Sequence, residues 1–201
     1  MNSSREASAT AIEYMCNAGR CQVSIMIIGD KAFSLYLTRK EIQVEVKRMA
    51  TEISRDLAGQ ETIFLVVLKG GFMFAADLLR QVNLPLQVSF IGASSYKGMK
   101  TTGKVLIRDK PEEVSGNRTV VVVEDILESG LTLEALLDLV KGWKVDQVKV
   151  ATLLFKPEAY RLDVKPDYTG FQIPNHFVVG YGLDYLGFGR NLPDLYIHQG
   201  A

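Results

Sequence analysis

The amino-acid sequence predicts an α/β fold, a mostly parallel central sheet flanked by helices, and three observations lead there. Residues 63–68 (IFLVVL) and 119–123 (TVVVV) are short, almost wholly apolar and rich in β-branched side chains, the composition of strands buried on both faces. Segments between such runs place apolar residues three and four apart, the period of a helix with one buried face. Strand and helix signals alternate, which requires crossover connections and hence parallel neighbours whose ligands meet the carboxyl ends of the strands. At 201 residues and 47% hydrophobic content the chain suffices for one such domain.

Residues 1–30 are rich in Ser and Ala, show no clear period and read as an N-terminal extension of unknown role. Glu6 and Glu13 argue against an acid-poor organelle presequence. Thr38 and Glu41 have capping-box spacing, so a helix starts there, with Ile42, Val46, Met49, Ile53 and Leu57 on one apolar face that ends before Gly59. This helix is predicted to cover a sheet. The strand at 63–68 breaks at Lys69-Gly70-Gly71 and gives way to a helix over 72–82. A second strand is predicted over 87–93, followed by polar, glycine-containing 94–104 as a mobile loop. Residues 119–123 form a third strand and 131–143 a helix with Leu133, Leu136, Leu137 and Val140 on one face. A fourth strand covers 148–155, ending at Lys156-Pro157, and 177–181 adds a fifth.

Composition excludes several classes of function. Lys plus Arg equals Asp plus Glu at 23 each, so no overall field draws nucleic acid or an anionic membrane, and a polyanionic ligand must be held locally. Cys16 and Cys21 lack neighbours at metal-ligand spacing, and His176 and His198 lack partners for a metal or a triad. No apolar run approaches the length of a membrane span. A soluble, cytoplasmic protein is the expectation.

Residues 120–133, VVVVEDILESGLTL, pose the chemical question. Ser129-Gly130-Leu131-Thr132 opens a helix whose free N–H groups and positive dipole end favour a phosphate, yet Glu124, Asp125 and Glu128 stand just before it. A sugar phosphate resolves the conflict. Its phosphate rests on the helix start while adjacent carboxylates at the strand end accept hydrogen bonds from vicinal hydroxyls or hold a divalent metal.

This run resembles the phosphoribosyl pyrophosphate (PRPP) motif of type I phosphoribosyltransferases. Leu68-Lys69-Gly70-Gly71, Ser95-Tyr96, Lys156 and the block from Phe177 to Asp184, with Arg190 beyond, narrow the resemblance to hypoxanthine-guanine phosphoribosyltransferases, over residues 35–197. It implies the type I fold over 31–201, with a small hood and a flexible active-site loop, and salvage of hypoxanthine or guanine into nucleoside monophosphate. The implied partners are small-molecule substrates, a 6-oxopurine and PRPP, with neither nucleic acid nor membrane, in a homodimer or homotetramer.

The resemblance also implies roles. Glu124 and Asp125 bind the ribose, Ser129 through Thr132 the 5′-phosphate, and Lys69, Gly70 and Arg190 the pyrophosphate, with a non-proline cis peptide at Leu68–Lys69. Ser95 and Tyr96 lie on the loop that closes over the centre and excludes water. Lys156 donates to purine O6, Phe177 stacks on the base, and Val178 and Asp184 complete the purine side. Mg²⁺ is the implied cofactor, on Glu124, Asp125 and Asp184. Glu128 departs from the pattern: the family carries Asp there, near purine N7, as candidate general base, and Glu is one methylene longer. Two rival readings remain. One is a xanthine-preferring enzyme; the other is a PRPP sensor that binds nucleic acid, for which the balanced charge supplies no basic face.

Overall fold

Thr38 starts the first helix as its spacing requires. Its hydroxyl accepts from the Glu41 amide at 3.3 Å, while the Glu41 carboxylate accepts from the Thr38 amide at 2.8 Å and from its hydroxyl at 2.6 Å. The predicted stripe of Ile42, Val46, Met49, Ile53 and Leu57 is buried throughout. The computed structural model describes residues 12–17, 20–95, 105–108 and 116–200, and these fall into two units.

The first unit takes the chain up to Ile42 together with His176 onward. The described part of the stretch without a clear period pairs as antiparallel strands β1 (Ile12–Asn17) and β2 (Arg20–Ile28), which continue into β3 (Lys31–Leu37). From Arg39 to Asp56 runs α1, which passes into the second unit.

The second unit, Gln43–Asn175, carries the predicted alternation. In order it contains β4 (Thr62–Leu68), α2 (Phe72–Leu79), β5 (Leu86–Ser95), β6 (Val105–Arg108), β7 (Gly116–Leu127), α3 (Leu131–Lys141), β8 (Val145–Phe155) and β9 (Tyr168–Gln172). The sheet order is β6-β5-β4-β7-β8-β9, parallel except for the antiparallel edge strand β6. Alternation along β4 and β7 fills both faces. Leu65, Val67, Val120 and Val122 pack with Leu133, Leu136 and Val140 of α3, with Leu137 partly buried beside them. Phe64, Val66, Val121 and Val123 turn to the opposite face, where α2 lies against β4 and β7. Within this unit α1 is tied down by Gln43 Nε2 donating to Asp77 of α2 at 2.5 Å and by Arg48 Nη2 donating to the Thr169 carbonyl of β9 at 2.7 Å.

Two expectations are corrected. Residues 177–181 do not join the parallel sheet: only β10 (Val178–Val179) forms, and it pairs antiparallel with β11 (Leu195–His198) in the first unit, in the order β1-β2-β3-β11-β10. Gly180 at φ 106 and Tyr181 at φ 46 turn the chain out of the strand. The fifth parallel strand is β9, whose Gly170 lies so close to β8 that a Cβ would stand 2.6 Å from the Leu153 carbonyl. Ser95 ends β5 paired with Val105 instead of opening a loop, because Gly92–Ser95 is laddered to β6. Tyr96 and the rest of the expected mobile loop lie outside the described residues. Among the described residues no helix is long and apolar enough to cross a membrane.

Candidate active site

Strand β7 continues through the two acids that the sequence placed after it, because its pairing with β8 runs on through Glu124↔Thr152, Ile126↔Leu154 and Leu127↔Phe155. Successive residues of a strand point to opposite faces, so Glu124 and Asp125 do not project as an adjacent pair. Asp125 reaches the β4–α2 turn, where a Cβ on Gly70 would stand 1.6 Å from its Oδ2, so glycine makes room for the carboxylate. Glu124 turns inward and is 6% exposed. Its Oε2 has no hydrogen-bond partner among the described residues, and burial first, then the charge of Asp125, pushes its carboxyl well above the usual range.

The β4–α2 turn has the cis peptide expected at Leu68–Lys69. Lys69 is exposed. Gly71 donates to the Val67 carbonyl at 3.1 Å and has no room for a side chain, since a Cβ there would stand 2.7 Å from that oxygen.

After β7 the chain makes the turn that caps α3. Gly130 adopts φ 90, and Leu131 N donates to Ser129 Oγ at 3.4 Å, so the hydroxyl expected to face a ligand also supports its own turn. The first helical bond runs from Glu134 N to Gly130 O at 2.9 Å, which leaves the preceding N–H groups of the turn without an intrahelical acceptor. A clasp from the segment after β8 holds this turn. Lys156 N donates to Leu127 O at 2.9 Å and Arg161 N to Ser129 O at 3.2 Å, while Tyr160 and Leu162 press on Gly130 so closely that a Cβ would meet them at 3.0 and 2.8 Å. Tyr160 meets Phe155 edge-on and donates to the Val164 carbonyl at 2.5 Å. Burial first, then the nearby Glu124 charge, raises its hydroxyl's pKa.

The clasp also delivers Lys156. Its side chain is 4% exposed, and Nζ lies 3.1 Å from Oε2 of Glu128, which is 55% exposed. The candidate base and the candidate base-selecting cation are thus in direct contact at the carboxyl ends of neighbouring strands. Glu128, Ser129–Thr132, Lys156 and Glu124 gather around that end of the sheet; Asp125 approaches it from the other face with Lys69 and Gly70.

Phe177, Val178, Asp184 and Arg190 belong to the first unit. Phe177 is 41% exposed and packs against Phe33 and Tyr185. Val178 is buried in β10. Asp184 and Arg190 are paired with each other: the carboxylate accepts from Arg190 Nη2 and from the Gly187 amide at 2.8 Å, and Arg190 Nη1 donates to the Gly182 carbonyl at 2.7 Å. Tyr160 and Leu162 were not among the predicted residues, and only Gly130 hinted that something close must cover it.

No group of three or more His, Cys, Asp or Glu gathers into a metal cage among the described residues. The donor chemistry nevertheless suits a hard cation. The bare carboxylate oxygen of Glu124 is such a donor, and Mg²⁺ commonly takes one or two carboxylates and completes its shell with substrate oxygens and water.

Residues 34–186 match the phosphoribosyl transferase domain. The chain is 42% identical over 159 residues to the bifunctional protein TilS/HprT of Listeria monocytogenes, a match covering 78% of this chain but only 24% of that longer protein. It is 38% identical over 159 residues to hypoxanthine-guanine phosphoribosyltransferase of Staphylococcus aureus, covering 78% of this chain and 88% of that protein. A crystal structure of hypoxanthine phosphoribosyltransferase from Staphylococcus aureus superposes with a TM-score of 0.78 at 36% identity, over 83% of this chain and 91% of that one.

Proposed function

Since this chain belongs to the phosphoribosyl transferase family, among its hypoxanthine-guanine members, we propose that it transfers the 5-phosphoribosyl group of PRPP to hypoxanthine or guanine. The products are IMP or GMP and pyrophosphate. The observation that carries the reading is the Lys156–Glu128 pair beside the start of α3.

A 6-oxopurine offers an acceptor at O6 next to N7. Lys156 Nζ, a donor only, fits O6 and rejects the amino group of adenine. Glu128 accepts hydrogen from N7 as N9 bonds to the ribosyl carbon and the bond to pyrophosphate breaks. The N–H groups and hydroxyls of Ser129 through Thr132 take the 5′-phosphate. Asp125 and Glu124 serve the ribose hydroxyls from the two faces of β7, and Lys69 and Gly70 take pyrophosphate. Phe177 for stacking, Val178 for backbone bonds to the base, Asp184, Arg190, and a covering loop with Ser95 and Tyr96 belong to the same proposal. Among the proposed ligands Glu124, Asp125 and Asp184, one or two carboxylates would suffice to hold Mg²⁺, which when bound would neutralise charge on the pyrophosphate. A cytoplasmic homodimer or homotetramer completes the reading.

The test is an initial-rate assay with PRPP and Mg²⁺ against hypoxanthine, guanine, xanthine and adenine. Turnover of hypoxanthine or guanine, with adenine inert, is expected. No turnover of any oxopurine would overturn the proposal, and a preference for xanthine would reassign the pocket around Glu128.

A further inference from the structure

We propose that Asp30, in the turn between β2 and β3, is a positioning residue for the purine, acting through Tyr185 on Phe177, the ring on which the base stacks. This rests on the reading of Phe177 given above, and it assigns a task to the N-terminal hairpin.

Tyr185 Oη donates to Asp30 Oδ1 at 2.5 Å. That hydrogen bond, first among several influences, holds the Asp30 carboxyl below its usual range, so it is an ionised acceptor at neutral pH. Lys31 Nζ lies 5.6 Å from the centroid of the Tyr185 ring, so the turn grips that ring by its hydroxyl and from over its face. The fit is close: Gly29 adopts φ 59, and a Cβ there would stand 2.9 Å from Leu186 Cδ1 and 3.6 Å from Tyr185 Cε1.

The receiving side is a tight corner. Tyr185 and Phe188 exchange backbone hydrogen bonds at 3.0 Å, and Leu186 between them adopts φ 54, a conformation that side-chain-bearing residues adopt at a cost. Contacts from outside the corner therefore help decide where the Tyr185 ring lies. That ring meets Phe177 edge-on, with centroids 5.6 Å apart and planes at 77°. Buried Phe33 lies 6.1 Å from both. Phe177 is the exposed member of this triangle, and its outer torsion is a broad two-fold well, so its contacts with Tyr185 and Phe33 fix its tilt. A ring already tilted correctly binds a flat base without first being ordered.

The experiment uses the full chain and four variants: Asp30→Ala, Tyr185→Phe, the double variant, and Asp30→Asn. Initial rates are measured with hypoxanthine and PRPP varied in turn. Each single loss raises KM for hypoxanthine roughly five-fold, the scale of one hydrogen bond in a partly exposed setting. The double variant is no worse than either single, since both remove the same contact. The kcat and the KM for PRPP stay within about twofold, and Asp30→Asn, whose amide oxygen still accepts, recovers most of the loss. An unmoved KM for hypoxanthine, a parallel rise in KM for PRPP, additive losses in the double variant, or an Asn variant as poor as Ala would each overturn the inference. Absence of turnover by the unaltered chain would overturn the functional reading along with it.

Discussion

Gly70→Ala tests whether Asp125 serves the sugar from its place beside the β4–α2 turn. A Cβ on Gly70 would stand 1.6 Å from Oδ2 and 2.5 Å from Cγ of Asp125, whereas real Cβ contacts essentially never fall below 3.0 Å, so the carboxylate must retreat by roughly 1.5 Å. The obstructing atoms belong to a side chain that can rotate, and Gly70 is not among the glycines at positive φ. Stability therefore changes by less than about 1 kcal/mol. The lost bond between a carboxylate and a ribose hydroxyl is worth about 1.5–3 kcal/mol, which lowers kcat/KM for PRPP by roughly 10- to 100-fold. KM for the purine should barely move. Gly71→Ala is the contrasting variant, because its Cβ would meet the Val67 carbonyl at 2.7 Å, and backbone cannot turn aside; there the thermal midpoint should fall. Initial rates with PRPP varied, together with thermal melts of all three proteins, check both expectations. A Gly70→Ala protein with the parent's melting temperature and the parent's kcat/KM for PRPP would refute the role given to Asp125.

Lys156→Met keeps the buried stem and removes the ammonium: kcat/KM for hypoxanthine should drop roughly 10- to 100-fold and the adenine-to-hypoxanthine ratio should rise, while an unchanged ratio would remove Lys156 from base selection. Glu128→Gln should reduce kcat by roughly 100-fold with little change in KM for PRPP; turnover close to the parent's would mean that Glu128 offers a hydrogen bond and not a proton acceptor. Glu124→Gln addresses stability. Burial and the charge of Asp125 raise the Glu124 carboxyl above its ordinary value of 4.5, so its stabilising contribution is full below that value and is lost as pH rises through the raised one. The Gln variant, neutral throughout, should melt higher than the parent near pH 8 without divalent cations, and the gap should close toward pH 4; a gap independent of pH would contradict this.

The parts of this chain written in local patterns are legible in the amino-acid sequence itself. The Thr38–Glu41 cap, the stripe from Ile42 to Leu57 and the runs that became β4, β7 and β8 each depend on residues a few positions apart. What escaped depends on distant partners. Tyr168–Gln172 is a strand because β8 offers it an edge, although its own YTGFQ has no apolar run. Val178–Val179 joins the other sheet because β11 returns beside it. The motif around Glu124 to Thr132 put acids just before the turn that starts α3, but the strand running on through both acids, which sends them to opposite faces, is set by β8. Tyr160, Leu162 and Asp30 carry no motif at all. Their significance lies in whom they touch.

The clasp between Lys156 and Arg161 fixes the length of this stretch. One rung holds the strand before Glu128 and the other holds Ser129, so the part proposed to read the base and the part proposed to hold the phosphate are spliced at a set spacing. Adding or deleting one residue between the two rungs would shear one recognition half against the other by a full backbone step. A redesigned purine preference should therefore come from exchanging side chains at constant length, and length variation belongs in segments outside this splice.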